Sequence, residues 1–199
     1  MSEQADVSEQ NTPVRLADRD WAAGVLRFWF EELGASGWFK KSEAADAEIT
    51  ARFEELHRDI SGAPIDELLA DRDAALAAVI ILDQFARNMF RGRPESFATD
   101  AKALDLARSA IELGYDDRDL PEDWRVFFYL PFEHSEELAD QHRAVELISA
   151  LGNAEYTRFA IAHRDVIERF GRFPHRNATL GRKSTADEEA YLAEPGSGF

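Results

Sequence analysis

The chain contains no cysteine among its 199 residues. This absence excludes disulfide bonds, a thiolate nucleophile, zinc sites built from thiolates and cysteine-ligated iron–sulfur clusters. Long uncharged runs are also absent: the longest near the middle of the chain, residues 74–82, spans nine residues, whereas a membrane-spanning helix needs about 20. The N-terminus has no basic region followed by an apolar one, so we expect a cytoplasmic protein without a secretory signal or membrane contact.

Basic residues are in the minority. The 23 Lys and Arg residues face 39 Asp and Glu residues, which gives a formal net charge of −16. Such a surface repels phosphates, so we expect no general nucleic-acid binding. The chain is 45% apolar and 31% charged, which is typical of a globular protein with a sizeable core. We expect a flexible N-terminal arm at residues 1–17 and a single domain over residues 18–199.

Glycine and proline stand between periodic segments rather than inside them. Apolar residues recur at helical spacing in several stretches, and alternation typical of strands is absent. The predicted helices cover residues 20–33, 43–60, 72–90, 100–113, 121–130, 136–151 and 153–170, with a short last helix after a capping-box pair, Thr185 and Glu188. We therefore predict an all-α fold of about seven to nine helices. Short links favour antiparallel helical hairpins, arranged as a tetratricopeptide-like superhelix or as a compact helical array.

Charged residues occupy the most apolar predicted helix. Asp83 lies on the apolar face of residues 72–90, where an unpaired carboxylate costs several kcal/mol. Arg87 follows one turn later and can pair with Asp83, and Arg91 continues the same face. Two interpretations are open: a structural ion pair that joins helices, or the charged floor of a binding pocket. In either case we expect Asp83 and Arg87 to be largely buried and within hydrogen-bonding reach of each other.

A second polar group follows an apolar helix. Pro131 is expected to end that helix, and Glu133 and His134 come directly before Ser135, which can cap the next helix. Unpaired N–H groups at such a helix start favour an anion or a carboxylate. Glu133 and His134 are candidates for an acid–base pair. The alternative is that the group only caps a helix and complements its dipole.

The third group is locally basic. Residues 158–183 carry seven Arg and Lys against two acids, and guanidinium groups bind carboxylate or phosphate with two hydrogen bonds. Four candidate residues lie in a turn: Arg172, His175, Arg176 and Asn177. His163 lies before it, on the apolar face of a predicted helix. The alternative is a basic face that pairs with the acidic remainder of the fold, with His163 as a hydrogen-bonded core residue. We expect the turn after residue 170 to lie close to the Glu133–Glu136 turn, since two helices of nearly equal length separate them.

Motifs for nucleotide binding and for nucleophilic serine are absent. A single Glu-x-x-His spacing, Glu54 to His57, falls short of a di-iron bundle. We therefore assign no cofactor and no metal, although histidine and carboxylate ligands remain available for one.

Four motif blocks together resemble a bacterial family, domain of unknown function 924. The blocks are residues 25–39, 82–100, 128–136 and 169–185. The resemblance covers nearly the whole chain and implies an all-helical fold similar to tetratricopeptide-repeat superhelices, without implying an activity. Ala86 stands where the family motif usually has proline, which removes a possible kink.

These three groups coincide with the motif blocks, and we interpret them as one site. The leading hypothesis is a concave pocket, lined by arginine and histidine, that binds a small anionic ligand or an acidic peptide end. Arg87, Arg91, Arg172 and Arg176 would hold the anion, and Asp83 and Glu133 would orient them. One rival is a hydrolase or lyase that acts on the anion through Glu133 and His134, with His175 as a further catalytic candidate. The other is a tetratricopeptide-like interaction scaffold without a small-molecule site.

Overall fold

The computed structural model describes residues 20–198, so the predicted arm at residues 1–17 lies outside the described part. Helix α1 covers Asp20–Arg27 and continues as a π-helical segment, Phe28–Leu33. The other helices in chain order are α2 (Ala35–Trp38), α3 (Glu43–Gly62), α4 (Ile65–Leu68), α5 (Arg72–Val79), α6 (Ala86–Met89), α7 (Asp100–Glu112), α8 (Glu122–Glu133), α9 (Leu138–Ser149), α10 (Ala154–Phe170) and α11 (Ala186–Leu192). A second π-helical segment, Ile80–Phe85, joins α5 to α6 in one rod, and 3-10 turns lie at Pro94–Phe97 and Pro174–Arg176.

The all-α prediction is confirmed, because residues 20–198 contain no strand. Counting each continuous rod once gives ten helices within those residues, one more than the upper end of the predicted range. The arrangement is a compact helical array. Helix α1 packs on α5, α3 packs on α6 and on the π-helical segment before it, and α7 to α10 each pack against the next.

The rod formed by α5, the second π-helical segment and α6 runs through the core. All of residues 74–86 are buried, and the alanines of α5 let neighbouring helices approach closely. The two π-helical segments meet there: the rings of Phe28 and Trp29 lie 5.9 and 5.5 Å from the ring of Phe85. Burial of apolar side chains, these aromatic rings included, is the main stabilising term of the array.

Helix α8 passes through Pro131, although the sequence predicted an end at residue 130. Proline removes one backbone donor and costs about 3 kcal/mol in a helix interior. Residues 126–133 are all buried against neighbouring helices, and this burial outweighs the cost. The extension carries Glu133 into the helix and leaves His134 as its C-terminal cap.

Helix α9 begins at Leu138, two residues later than predicted, and Ser135 does not cap it. The Ser135 hydroxyl instead accepts from the backbone N–H of Glu137 at 3.1 Å and donates to Asp140 at 2.8 Å. The predicted helix start at Ser135, with N–H groups directed at an anion, is therefore wrong. The predicted end of α10 and the predicted start of α11 are confirmed. Gly171 follows α10 with a φ of 68°, and Thr185 and Glu188 form a capping box at the start of α11.

None of the helices within residues 20–198 has the length and apolar character needed to cross a membrane.

Candidate functional site

The three charged groups predicted from the sequence meet inside the array. The imidazole Nδ1 of His134, at the end of α8, lies 2.8 Å from the Asp83 carboxylate in the rod. The Arg176 guanidinium, in the 3-10 turn after α10, donates to the backbone carbonyl of His134 at 3.0 Å. The predicted proximity of the two turns is confirmed, since the backbone N–H of Phe173 donates to Glu136 at 2.8 Å. We refer to the following residues as the buried cluster: Asp83, Arg87, Asp100, Glu133, His134, His163, His175 and Arg176.

Asp83 lies in the second π-helical segment, where it is 1% exposed. Gln84 donates to its carboxylate at 2.6 Å, in addition to the contact with His134. Burial alone would raise the pKa of Asp83, but the charge of Arg87 and the contact with His134 lower it well below its usual range. Asp83 is therefore ionised at neutral pH.

The predicted pair of Asp83 and Arg87 is confirmed, with 3.2 Å between the guanidinium and the carboxylate and one fifth of the Arg87 side chain exposed. Arg87 also forms two hydrogen bonds to Asp100, at 2.9 and 3.1 Å. Asp100 begins α7, and a further contact of 3.3 Å joins it to Arg176. The cluster thus combines two guanidinium groups with two carboxylates that pair with them.

Among the described residues no hydrogen bond joins Glu133 to His134, although a carboxylate oxygen of Glu133 and a ring nitrogen of His134 lie within 4.8 Å of each other. The carboxyl group of Glu133 lies 3.2 Å from Nδ1 of His163 on α10. Burial raises the pKa of Glu133 to about 8, and the charge of Asp83 adds to this. Two separate carboxyl–imidazole pairs, Asp83 with His134 and Glu133 with His163, replace the predicted one.

Both imidazoles have an identifiable tautomer. Nδ1 of His134 faces an ionised carboxylate, and Nδ1 of His163 lies 2.9 Å from the carbonyl oxygen of Phe159. These oxygens only accept hydrogen bonds, so each Nδ1 carries a proton and each Nε2 keeps a lone pair. Burial, with the charge of Arg87, lowers the pKa of His134, and burial, with His134, lowers that of His163 to about 3. The hydrogen bond between His163 and the Phe159 carbonyl is the one expected if His163 is a core residue.

Arg176 forms cation–π contacts with two aromatic rings. Its guanidinium lies 4.7 Å from the ring centre of Phe97 and 4.6 Å from that of Phe173. Burial and the charge of Arg87 lower the pKa of Arg176 to about 10. Burial and the charge of Arg176 likewise lower the pKa of the neighbouring His175 to about 4, which leaves its imidazole neutral.

Three predicted site residues lie outside the buried cluster. Arg91 follows the end of α6 and binds Asp46 of α3 at 2.7 and 2.8 Å. Arg172 binds Glu188 of α11 at 2.6 and 2.8 Å. The Asn177 amide donates to Ser184 at 3.1 Å and accepts from Arg182 at 2.9 Å. These residues join elements of the fold.

Sequence reasoning missed three residues of the site: Asp100, Glu136 and Arg182. Asp100 binds both arginines of the cluster, but its sequence context indicated only the start of a helix. Glu136 binds Arg182 at 2.6 and 2.9 Å as well as the backbone of Phe173, and thereby holds the turn that carries Arg176 against the end of α8. Glu136 and Arg182 are 46 residues apart, and no local pattern connects them.

A groove of about 530 Å³ opens beside the cluster. The 3-10 turn at Pro94–Phe97, α7 and the segment from Pro131 to Asp140 form its walls, and His134 and Arg176 line it. Its charged residues are five acids and two arginines: Asp100, Asp105, Glu136, Glu137, Asp140, Arg108 and Arg176. Carboxylates therefore outnumber guanidinium groups in this groove, and His134 and Arg176 are the residues of the predicted site that line it.

Comparison with known proteins identifies the family. The model of the family described as bacterial protein of unknown function (DUF924) matches residues 25–196. A solved structure of a protein of unknown function from Agrobacterium tumefaciens superposes with a TM-score of 0.83 at 42% identity, covering 87% of this chain and 97% of that one. No curated protein matches the chain. With both the family model and a solved relative spanning most of its length, the chain belongs to the DUF924 family of bacterial proteins.

Proposed function

We propose that the groove beside the buried cluster binds a small anionic molecule: a phosphorylated or carboxylated metabolite, or the acidic end of a peptide. The observation that carries this proposal is the incomplete compensation of Arg176. Arg87, Arg91 and Arg172 each form two hydrogen bonds to one carboxylate. Arg176 has a single carboxylate contact at 3.3 Å, to an Asp100 that already binds Arg87 twice.

An anion at Arg176 would supply the missing compensation. The Arg176 Nε is buried and has no hydrogen-bond partner among residues 20–198. An unsatisfied buried donor on a charged group costs more than about 1–3 kcal/mol, so an added acceptor is favourable. Arg176 lines the groove and contacts the rings of Phe97 and Phe173. Its planar guanidinium suits a ligand with two oxygens.

The acids around the groove do not prevent this binding, because arginines of the same chain neutralise most of them. Arg108 contacts Asp140 and Asp105, Arg182 binds Glu136, and Arg87 binds Asp100. The other acids of the protein lie farther away, and salt screens their field over about 8–10 Å. The remaining acidic rim favours small anions over large, highly charged ones.

Thermal unfolding with sulfate, phosphate, dicarboxylates and tricarboxylates at constant ionic strength tests the proposal. A bound anion raises Tm with concentration, since stabilisation follows RT ln(1 + [L]/Kd). Arg176→Lys should abolish this rise because lysine lacks the planar fork. Arg91→Lys and Arg172→Lys are the matched controls and should retain it. An equal rise in the Arg176→Lys protein would refute the proposal.

A second candidate is turnover of the bound anion, as a hydrolase or lyase. The contact between Asp83 and His134 favours it: the carboxylate orients the imidazole, and Nε2 holds a lone pair at a residue that lines the groove. Hydrolysis of phosphate and carboxylate esters by the wild type, with loss of turnover but not of anion binding in His134→Gln, would support this candidate. Peptide binding at this face without any effect of small anions would instead support the scaffold.

A further inference from the structure

We propose that Glu133, His134 and His163 form a binding site for a divalent transition-metal ion of the zinc class. Each residue offers one ligand atom, a carboxylate oxygen or a ring nitrogen, and the three atoms lie within 4.8 Å of one another. Sequence reasoning assigned no metal because no metal-binding motif is present, and most of two helices separate Glu133 and His134 from His163. This site goes beyond the proposed anion binding and does not depend on it.

The hydrogen-bond partners of the two histidines resemble those of metal-ligating histidines. A histidine that binds a metal through one ring nitrogen usually donates its other N–H to a carboxylate or a backbone carbonyl. His134 donates to Asp83, and His163 donates to the carbonyl of Phe159. Both imidazoles are thereby fixed in the tautomer that leaves a lone pair on Nε2. Asp83 and the Phe159 carbonyl are the outer partners of the two ligands.

The charge balance around Glu133 also favours a cation. Among the described residues, the only ion-pair partner of the Glu133 carboxyl group is His163. Arg87 and Arg176 are engaged by Asp83 and Asp100. A buried carboxylate without a cation is unfavourable, and a divalent ion bound by it supplies the missing charge.

The ligand set indicates the class of metal. Two imidazoles and one carboxylate suit zinc and neighbouring transition metals better than magnesium or calcium, which prefer oxygen ligands. Three protein ligands leave one position of a tetrahedral zinc ion open, as in catalytic sites. His134 is both a proposed ligand and part of the groove lining, so the open position would be supplied from the groove. A zinc-bound water there would be available as a nucleophile.

Calorimetric titration of EDTA-treated, full-length protein with ZnSO₄ tests the site. We expect one ion per chain and a rise in Tm. Glu133→Gln and His163→Gln should each lose the ion, because both substitutions remove a ligand while keeping the side-chain shape. Asp83→Asn should weaken binding by about 10–100-fold, as expected for an outer partner. His142→Gln, on the exposed face of α9, is the matched control for adventitious binding.

Titration of the wild type with Co²⁺ tests the site without requiring that any substituted protein folds. Visible absorption typical of four-coordinate cobalt with nitrogen and oxygen ligands would support the site. Arg176→Lys should bind Zn²⁺ like the wild type, which separates this proposal from the proposed anion binding. Absence of stoichiometric binding by the wild type, or unchanged affinity in the Glu133→Gln and His163→Gln proteins, would overturn it.

Discussion

At the scale of the residue, Asp83 connects the elements of the site. Its carboxylate accepts hydrogen bonds from Gln84 and His134 and forms an ion pair with Arg87. These partners come from two helical elements and are at least partly buried. Removal of this single carboxylate takes the acceptor from the imidazole of His134 and leaves the Arg87 guanidinium with Asp100 as its carboxylate partner.

We predict that Asp83→Ala lowers the free energy of unfolding by about 3–5 kcal/mol, the usual cost of leaving one partner of a buried ion pair. Urea denaturation of both proteins measures this difference from the midpoints. Glu146→Ala is the control: it removes an exposed pair with Arg143, and its effect should stay below about 1 kcal/mol. Equal stabilities of Asp83→Ala and the control would show that the pair does not contribute to folding.

At the scale of the element, α11 is attached to the turn after α10 through Glu188. The Glu188 carboxylate accepts two hydrogen bonds from Arg172 and one from the backbone N–H of Thr185 at 2.7 Å. The hydrogen bonds from Arg172 and from Thr185 lower the pKa of Glu188 from 4.5 to about 2. Since α11 also contacts the 3-10 turn at Pro174–Arg176, this carboxylate supports the segment that carries Arg176.

The attachment of α11 should depend on pH. A carboxylate with a lowered pKa in the folded protein stabilises it fully above the unfolded-state pKa, about 4.5, and progressively less as pH falls toward 2. We predict that Glu188→Gln speeds amide hydrogen exchange in residues 186–192 at pH 7 and that its difference from the wild type shrinks below pH 4.5. Glu189→Gln, one residue later and exposed, should have no such effect. A difference that persists unchanged at pH 3 would contradict the assigned role.

The separation of two residues along the chain decides whether their contact could be predicted from the sequence. The Thr185 capping box and the pairing of Asp83 with Arg87 depend on residues at most four positions apart, and these predictions are confirmed. Most of the predicted helices are confirmed as well, apart from the end of α8 and the start of α9. The contact between Asp83 and His134 joins residues 51 positions apart, and it depends on how α8 packs against the rod. Packing also reverses a local rule at Pro131, where burial of the helix outweighs the missing hydrogen bond.

At the scale of the whole molecule, acidic charge dominates. The formal net charge is −16, while in the buried cluster the two arginines pair with the carboxylates of Asp83 and Asp100. Repulsion among surface acids destabilises the folded state and is screened by salt. Ion pairs inside the protein are screened much less.

We therefore predict that Tm rises when NaCl is increased from about 10 mM to about 150 mM, as the screening length falls from about 30 Å to about 8 Å. Calorimetry at constant pH measures the shift. Choline chloride at the same ionic strength is the control for specific sodium binding and should give the same rise. A fall in Tm would mean that exposed ion pairs outweigh the surface repulsion.

The π-helical segment at Ile80–Phe85 has a consequence for changes in chain length. A π-helical turn holds one residue more than the α-helical turn that would span the same distance, and α5 and α6 are both fixed by the core on either side of it. The rod thus resembles an α-helix that has gained a residue, and Asp83 lies within the gained turn. Deleting one residue there would restore regular helical geometry while redirecting the Asp83 carboxylate away from His134. The direction of the Asp83 carboxylate therefore depends on this extra residue of the rod as well as on the chemistry of the side chains around it.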